Sequence, residues 1–208
     1  MLLLLPLAAS AHVIVNELSQ LSAGTLAWEY LKLGYKHILP LGLDHILFIL
    51  SLLLLSPKLK PLILQTSAFT VAHSITLALS LYGVVQPSPK IIEPLIALSI
   101  LFVALENIFS AELKPARLLI VFAFGLIHGM GFASALTSLG LPKNNYLLGI
   151  LMFNLGVELG QLTVILTVYL VLIKWLSKRT GYRKSFVIPI SVIIAIVAIC
   201  WTIQRIVV

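Results

Sequence analysis

The sequence predicts an all-α polytopic membrane protein with six transmembrane helices, and three observations carry that prediction. Of the 208 residues, 60% are hydrophobic and only 10% are charged, against about 45–50% and about 25% in a soluble domain. Six apolar runs recur, each of roughly 20 residues or more, the length needed to cross ~30 Å of hydrocarbon. Prolines and basic residues gather in the short connectors between them. Too little polar sequence remains for a separate soluble domain.

Residues 1–11, MLLLLPLAASA, are apolar, too short to span, and end in Ala9-Ser10-Ala11, the small-x-small pattern of a signal-peptidase site. A cleaved signal peptide is the expectation. Residues 12–36 mix Trp28, Tyr30 and Tyr35 with Glu29, Lys32 and Lys36, as in a short extracytoplasmic helix at the headgroup level. Residues 37–208 form the membrane domain, with spans at 37–56, 61–84, 91–111, 116–139, 145–173 and 186–206. The first, third and fifth connectors hold Lys58, Lys60, Lys114, Arg117, Lys174, Lys178, Arg179, Arg183 and Lys184, nine basic residues. The opposite side holds five: Lys32, Lys36, Lys90, Lys143 and Arg205. The richer side faces the cytoplasm, so both termini lie outside, in agreement with a signal peptide.

The formal charge of +7 therefore records topology. Basic residues confined to short connectors exclude a nucleic-acid partner, and the lipid bilayer is the partner the composition demands. Cys200, the single cysteine, excludes a disulfide framework and zinc-finger spacing.

Ionisable groups inside spans are expensive and are functional candidates by default. The first span carries Asp44 and His45, the second His73, the third Glu106 beside Asn107, the fourth His128, and the fifth Asn154, Glu158 and Gln161. A lone buried histidine is usually a satisfied structural residue, but five of six helices here contribute ligand-type groups. Imidazoles and carboxylates near one depth suit a divalent transition metal. Asp44, His45, His73, His128, Glu106 and Glu158 are the candidate metal residues, with His37, Asn107, Asn154 and Gln161 supporting them. His37 reads equally as an interfacial residue at the helix mouth. Asn154, Glu158 and Gln161 follow i, i+4, i+7 and form one stripe.

Glycines accompany these groups in two GxxxG segments, Gly125–Gly129 and Gly156–Gly160, which predict close helix packing. Pro40 loosens the first helix, and Pro94 reads as a helix start. Gly42-Leu43-Asp44-His45 and Gly125-Leu126-Ile127-His128 share G-L-x-H in spans of opposite direction. That raises a three-plus-three inverted repeat.

The ordered set Gly42-Leu-Asp44-His45, Phe69-Thr-Val-Ala-His73-Ser, Glu106-Asn107, His128-Gly-Met-Gly-Phe-Ala and Phe153-Asn-Leu-Gly-Val-Glu158-Leu-Gly-Gln161 resembles the HupE/UreJ family over residues 35–173. The resemblance implies a bacterial inner-membrane protein associated with hydrogenase or urease maturation machinery and a role in moving nickel or cobalt. The Asp44-His45 pair also resembles the His…Asp-His signature of nickel/cobalt permeases. Six residues separate His37 from Asp44 here, more than in that signature.

The function expected is a secondary permease, not an enzyme, with nickel or cobalt as substrate. No G-x-x-x-x-G-K-[ST] loop supplies an ATPase. Imidazoles bind metal only when neutral, so uptake is expected to vary with pH. An alternative of another class is an intramembrane zinc-dependent hydrolase, with three histidines and an aspartate on the metal and a glutamate as base. A purely structural accessory subunit is the third. Ligand type does not separate nickel, cobalt and zinc, and nothing in the sequence sets an oligomeric state.

Overall fold

The computed structural model describes residues 22–110, 112–138 and 145–207, with side chains of 133–138 left aside. The signal-peptide segment lies outside the described residues. Every described element is helical. We label them α1 (Ala23–Ile38), α2 (Leu43–Leu55), α3 (Leu59–Leu81), α4 (Pro89–Phe109), α5 (Arg117–Ser138), α6 (Tyr146–Leu176) and α7 (Arg183–Val207). Helices α3, α4, α6 and α7 are long and apolar enough to cross a membrane. A fifth crossing follows if α1 and α2, bent by 64° at their junction, make one broken span. Val71, Leu98, Leu151 and Ile193 are among the large apolar side chains exposed on the outside of the bundle, as expected where the solvent is lipid.

The first predicted span differs from the sequence reading. Residues 37–56 are not one helix, because α1 ends at Ile38 and α2 starts at Leu43. Pro40 is the cause: the residue before a proline is driven from the α region, and Leu39 is extended (φ −122°, ψ 117°). Gly42 caps α2 without a side-chain hydrogen bond. The backbone groups freed by the break are reused within it. Leu39 N donates to Tyr35 O at 2.9 Å, Gly42 N to Ile38 O at 3.1 Å and Ile46 N to Gly42 O at 2.9 Å.

The segment read as interfacial is helix α1, and it packs along α6. Its Leu26, Tyr30, Gly34 and Ile38 recur at i, i+4, i+8, i+12 and are buried, while Trp28 stays exposed. The α1–α6 seam depends on missing side chains. A Cβ on Gly34 would collide with the backbone of Phe153, and one on Gly156 with the backbone of Leu31. Helices α3 and α5 make a second close pair, where a Cβ on Gly129 would strike Thr76 Oγ1 and the His73 carbonyl. Both GxxxG segments thus lie on close helix contacts. Helices α4 and α7 form the third pair.

Pro94 lies inside α4, five residues beyond Pro89 at the true helix start. The two G-L-x-H segments differ locally: Gly42 precedes a helix, whereas Gly125 is mid-helix against Phe69 and Ala72.

Candidate metal centre

The break between α1 and α2 creates the site. On an unbroken helix His37 and His45 lie eight residues apart, roughly 12 Å along the axis at 1.5 Å per residue. Here His37 closes the last turn of α1 and His45 opens the first turn of α2, and their ring centroids are 4.7 Å apart. His73, from the middle of α3, completes the group at 6.2 Å from His37 and 6.0 Å from His45.

These three offer one ligand atom each, all within 4.8 Å of one another. Nitrogens bonded at about 2.0–2.1 Å to a tetrahedral ion stand about 3.3 Å apart, so closing on an ion takes ring shifts of about an ångström. The Nε2 atoms of His37, His45 and His73 are buried and have no hydrogen-bond partner. Three grouped histidines that each keep an orphaned nitrogen suit a cation site, since a buried polar atom without a partner is otherwise costly.

The hydrogen-bond network assigns the tautomer of His73. Asn154 Nδ2 donates to Ile150 O at 2.8 Å, which turns Asn154 Oδ1 toward His73 Nδ1 at 3.3 Å. The oxygen can only accept, so Nδ1 carries the proton and Nε2 presents its lone pair, the usual outer-shell arrangement of a metal-binding histidine. His128 stands beside the trio, its ring 5.1 Å from His45. Ser99 Oγ donates to Ile96 O at 2.7 Å and lies 2.9 Å from His128 Nε2. The Ser99 proton is thereby committed, His128 Nε2–H donates to Ser99, and His128 Nδ1 is left buried without a partner. Aromatic rings wall the group: Phe132 lies 3.9 Å from His37 and stacks on Phe153.

A cavity of about 340 Å³ opens onto this cluster, lined by His37, Asp44, His45, His128 and Arg205 among others. At about 30 Å³ per water that is room for roughly ten waters, enough for a hydrated divalent ion.

The three carboxylates predicted with the histidines are not part of the trio. Asp44 lines the cavity, and both its oxygens accept from Arg205 Nη2, at 2.9 and 3.1 Å. Glu106, towards the far end of α4, pairs with Arg117 Nη1 at 2.8 Å. Glu158 accepts from Ser67 Oγ at 2.7 Å through Oε1, while its Oε2 is buried and unpartnered. Asn107 donates to Ser51 O at 2.7 Å and, at 3.4 Å, to Ser191 Oγ, tying α4 to α2 and α7. Gln161 Oε1 lies 3.1 Å from Thr70 Oγ1. The structure therefore brings together His37, His45 and His73 with His128 adjacent and Asn154 behind. It sets Asp44, Glu106, Asn107, Glu158 and Gln161 outside that cluster.

Sequence reasoning missed Arg117 and Arg205 because both were counted as connector charges. The signal was present: a carboxylate inside a span needs a cation, and these two arginines sit where apolar runs begin or end. Ser67 and Ser99 gave no signal beyond being hydroxyls on apolar helices.

A family model described as HupE / UreJ protein matches residues 13–205. No curated protein and no solved structure matches the chain.

Proposed function

We propose that this chain, which belongs to the HupE/UreJ family, is a permease that carries a divalent transition metal, nickel or cobalt, through the His37–His45–His73 site. The observation that carries the reading is the grouping of three histidines, each with a buried, unpartnered ring nitrogen, two of which, His37 and His45, line a cavity roomy enough for a hydrated ion. Imidazole suits nickel, cobalt and zinc alike, and the family resemblance favours the first two. A neutral trio leaves the ion's charge uncompensated, so Glu158, with one free oxygen, and Asp44, at the cavity mouth, are the acids that offset it or exchange protons with it. His128 is a further ligand or the first station on entry.

The chain crosses a bacterial inner membrane six times in this reading, with α1–α2 as one broken span, α5 as another and both termini outside. The basic residues cluster at the end opposite the cavity, so the cavity faces outward. A helix interrupted at a substrate site is a recurring transporter device, because irregular backbone is tolerated where it lines a cavity. The delivered metal serves metalloenzyme maturation of the hydrogenase or urease kind, as the resemblance implies.

The test is metal-specific uptake in cells lacking other nickel and cobalt importers. His37→Ala, His45→Ala and His73→Ala are each expected to abolish accumulation while the protein still reaches the membrane. Undiminished uptake in the His45 and His73 variants overturns the site assignment. A tightly retained zinc without any uptake selects the hydrolase instead.

A further inference from the structure

One cation already sits at the wall of the histidine cavity, and it belongs to the protein. Arg205, near the end of α7, sends Nη2 to both oxygens of Asp44, at 2.9 and 3.1 Å. Its Nη1 donates to the Glu93 carbonyl at 3.1 Å. The strong form of an arginine–carboxylate pair is fork on fork, two nitrogens facing two oxygens. Here the carboxylate closes on a single nitrogen, as it would on one ion. Asp44 and Arg205 line the same cavity as His37 and His45, and Asp44 precedes His45 directly in the chain. A guanidinium fixed there opposes an arriving cation and withholds the carboxylate that would offset its charge.

The surroundings of Arg205 fit a side chain that can let go. The pair is only partly buried, with side chains 22% and 29% exposed, and ion pairs so open to solvent are held weakly. The Arg117–Glu106 pair is the contrast, its guanidinium 2% exposed. Arg205 also has holds that do not involve Asp44. Trp201, one turn earlier on α7, sets its ring centroid 5.4 Å from the guanidinium carbon, within cation–π reach, and the Glu93 carbonyl accepts from Nη1. Room is present as well. A neighbouring cavity of about 510 Å³ is lined by Glu93, Trp201, Gln204 and Arg205, with Lys90 beside them, so Glu93 and Arg205 line both spaces. Among the described residues the Glu93 carboxylate makes no ion pair.

We propose that Arg205 is a tethered stand-in for the substrate cation. It holds Asp44 until a divalent ion displaces it, then turns over Trp201 toward the Glu93 carboxylate and leaves Asp44 free to offset the charge of the ion. This deepens the transport reading above and rests on it. The exchange favours double charge: a monovalent ion brings no more charge to Asp44 than the guanidinium it displaces, whereas a divalent ion brings twice as much.

The test uses the full-length protein in detergent with Trp28→Phe and Trp175→Phe, which leaves Trp201 as the sole tryptophan. Zn²⁺ is the probe for emission, because its filled d shell adds no quenching of its own, and Ni²⁺ is the probe for equilibrium dialysis. Zn²⁺ is expected to shift Trp201 emission with the same midpoint as Zn²⁺ binding. At concentrations that saturate each variant, emission is expected to stay constant in Arg205→Gln, which lacks the guanidinium, and in Asp44→Asn, where it is already released. Arg205→Gln is expected to bind Ni²⁺ about fivefold tighter, equal to about 1 kcal/mol. In the Asp44→Asn background, with no pair left to break, that gain is expected to fall below about twofold, about 0.4 kcal/mol. If Arg205→Gln does not accumulate, the emission of the parent and of Asp44→Asn decides alone. Constant emission in a parent saturated with Zn²⁺ overturns the exchange. So does weaker Ni²⁺ binding in Arg205→Gln, the mark of a structural pair, or an equal gain in both backgrounds, the mark of a fixed repelling charge. A parent that binds neither ion overturns the metal reading and the exchange with it. The expected emission shift without Ni²⁺ uptake in cells supports the exchange and overturns the permease reading instead.

Discussion

Asn154→Leu is the substitution that best isolates the chemistry of the site. Asn154 touches the metal trio only through His73, at 3.3 Å, and its amide nitrogen is already committed to Ile150 O. Leucine keeps the volume and removes the acceptor. His73 Nδ1 then loses its partner, the ring is free to place its proton on either nitrogen, and the tautomer protonated at Nε2 offers an N–H instead of a lone pair to the incoming cation. Loss of such an outer-shell partner costs about 10–100-fold in metal affinity. The contact is longer than the common 2.7–3.2 Å range, so the expected loss lies near the lower bound, about tenfold or about 1.4 kcal/mol. Equilibrium dialysis of Ni²⁺ against purified protein at fixed pH reads it directly. Gln161→Leu, which removes the Thr70 contact on the same seam, is the control and is expected to leave the dissociation constant unchanged. Equal losses in the two variants, or none in Asn154→Leu, would refute the assignment of His73 Nε2 as a ligand atom.

Two further expectations concern stability. Glu106→Gln abandons a guanidinium that is 2% exposed and should destabilise the fold by about 3–5 kcal/mol. Asp44→Asn frees Arg205, which is 22% exposed, faces the cavity and keeps a bond to Glu93 O, so the loss should be about 1 kcal/mol or less. Thermal melts in detergent that rank the two equally would contradict the burial argument. Gly34→Val drives a side chain into the backbone of Phe153 and should cost about 1–3 kcal/mol by overpacking. Gly24→Val, whose added Cβ would meet only Ser22 Oγ at 4.0 Å, should melt close to the parent, and a similar loss at both positions would show that the α1–α6 seam is not tight.

Much of this was legible in the sequence, and the misses have identifiable causes. Apolar runs of the right length located α3, α4, α6 and α7, and the GxxxG segments located the contacts of α5 with α3 and of α6 with α1. His45 and His73 were visible as imidazoles that lipid would not tolerate alone. The closeness of His37 to His45 is not legible while 37–56 is read as one continuous helix through Pro40. A proline followed by Gly42 resets helical arithmetic, and the reset makes neighbours of residues eight apart. The partners of the carboxylates are not legible along one helix: Asp44 and Glu106 pair with Arg205 and Arg117, which lie 161 and 11 positions away. Periodicity along one helix carries no information about a cation supplied by another.

The dependence of α1 on α6 also sets an order of assembly. Helix α2 has 13 residues, about 20 Å at 1.5 Å per residue, too short to settle across ~30 Å of hydrocarbon alone. Helix α1 carries Glu29, Lys32 and Lys36 and buries its inner face on a partner synthesised more than a hundred residues later. At about 5–20 residues per second, that partner follows by some five to twenty seconds or more. Through that interval the first two described helices wait at the membrane without their seat, and the histidine trio, which draws on both of them, is among the last of the described features to form.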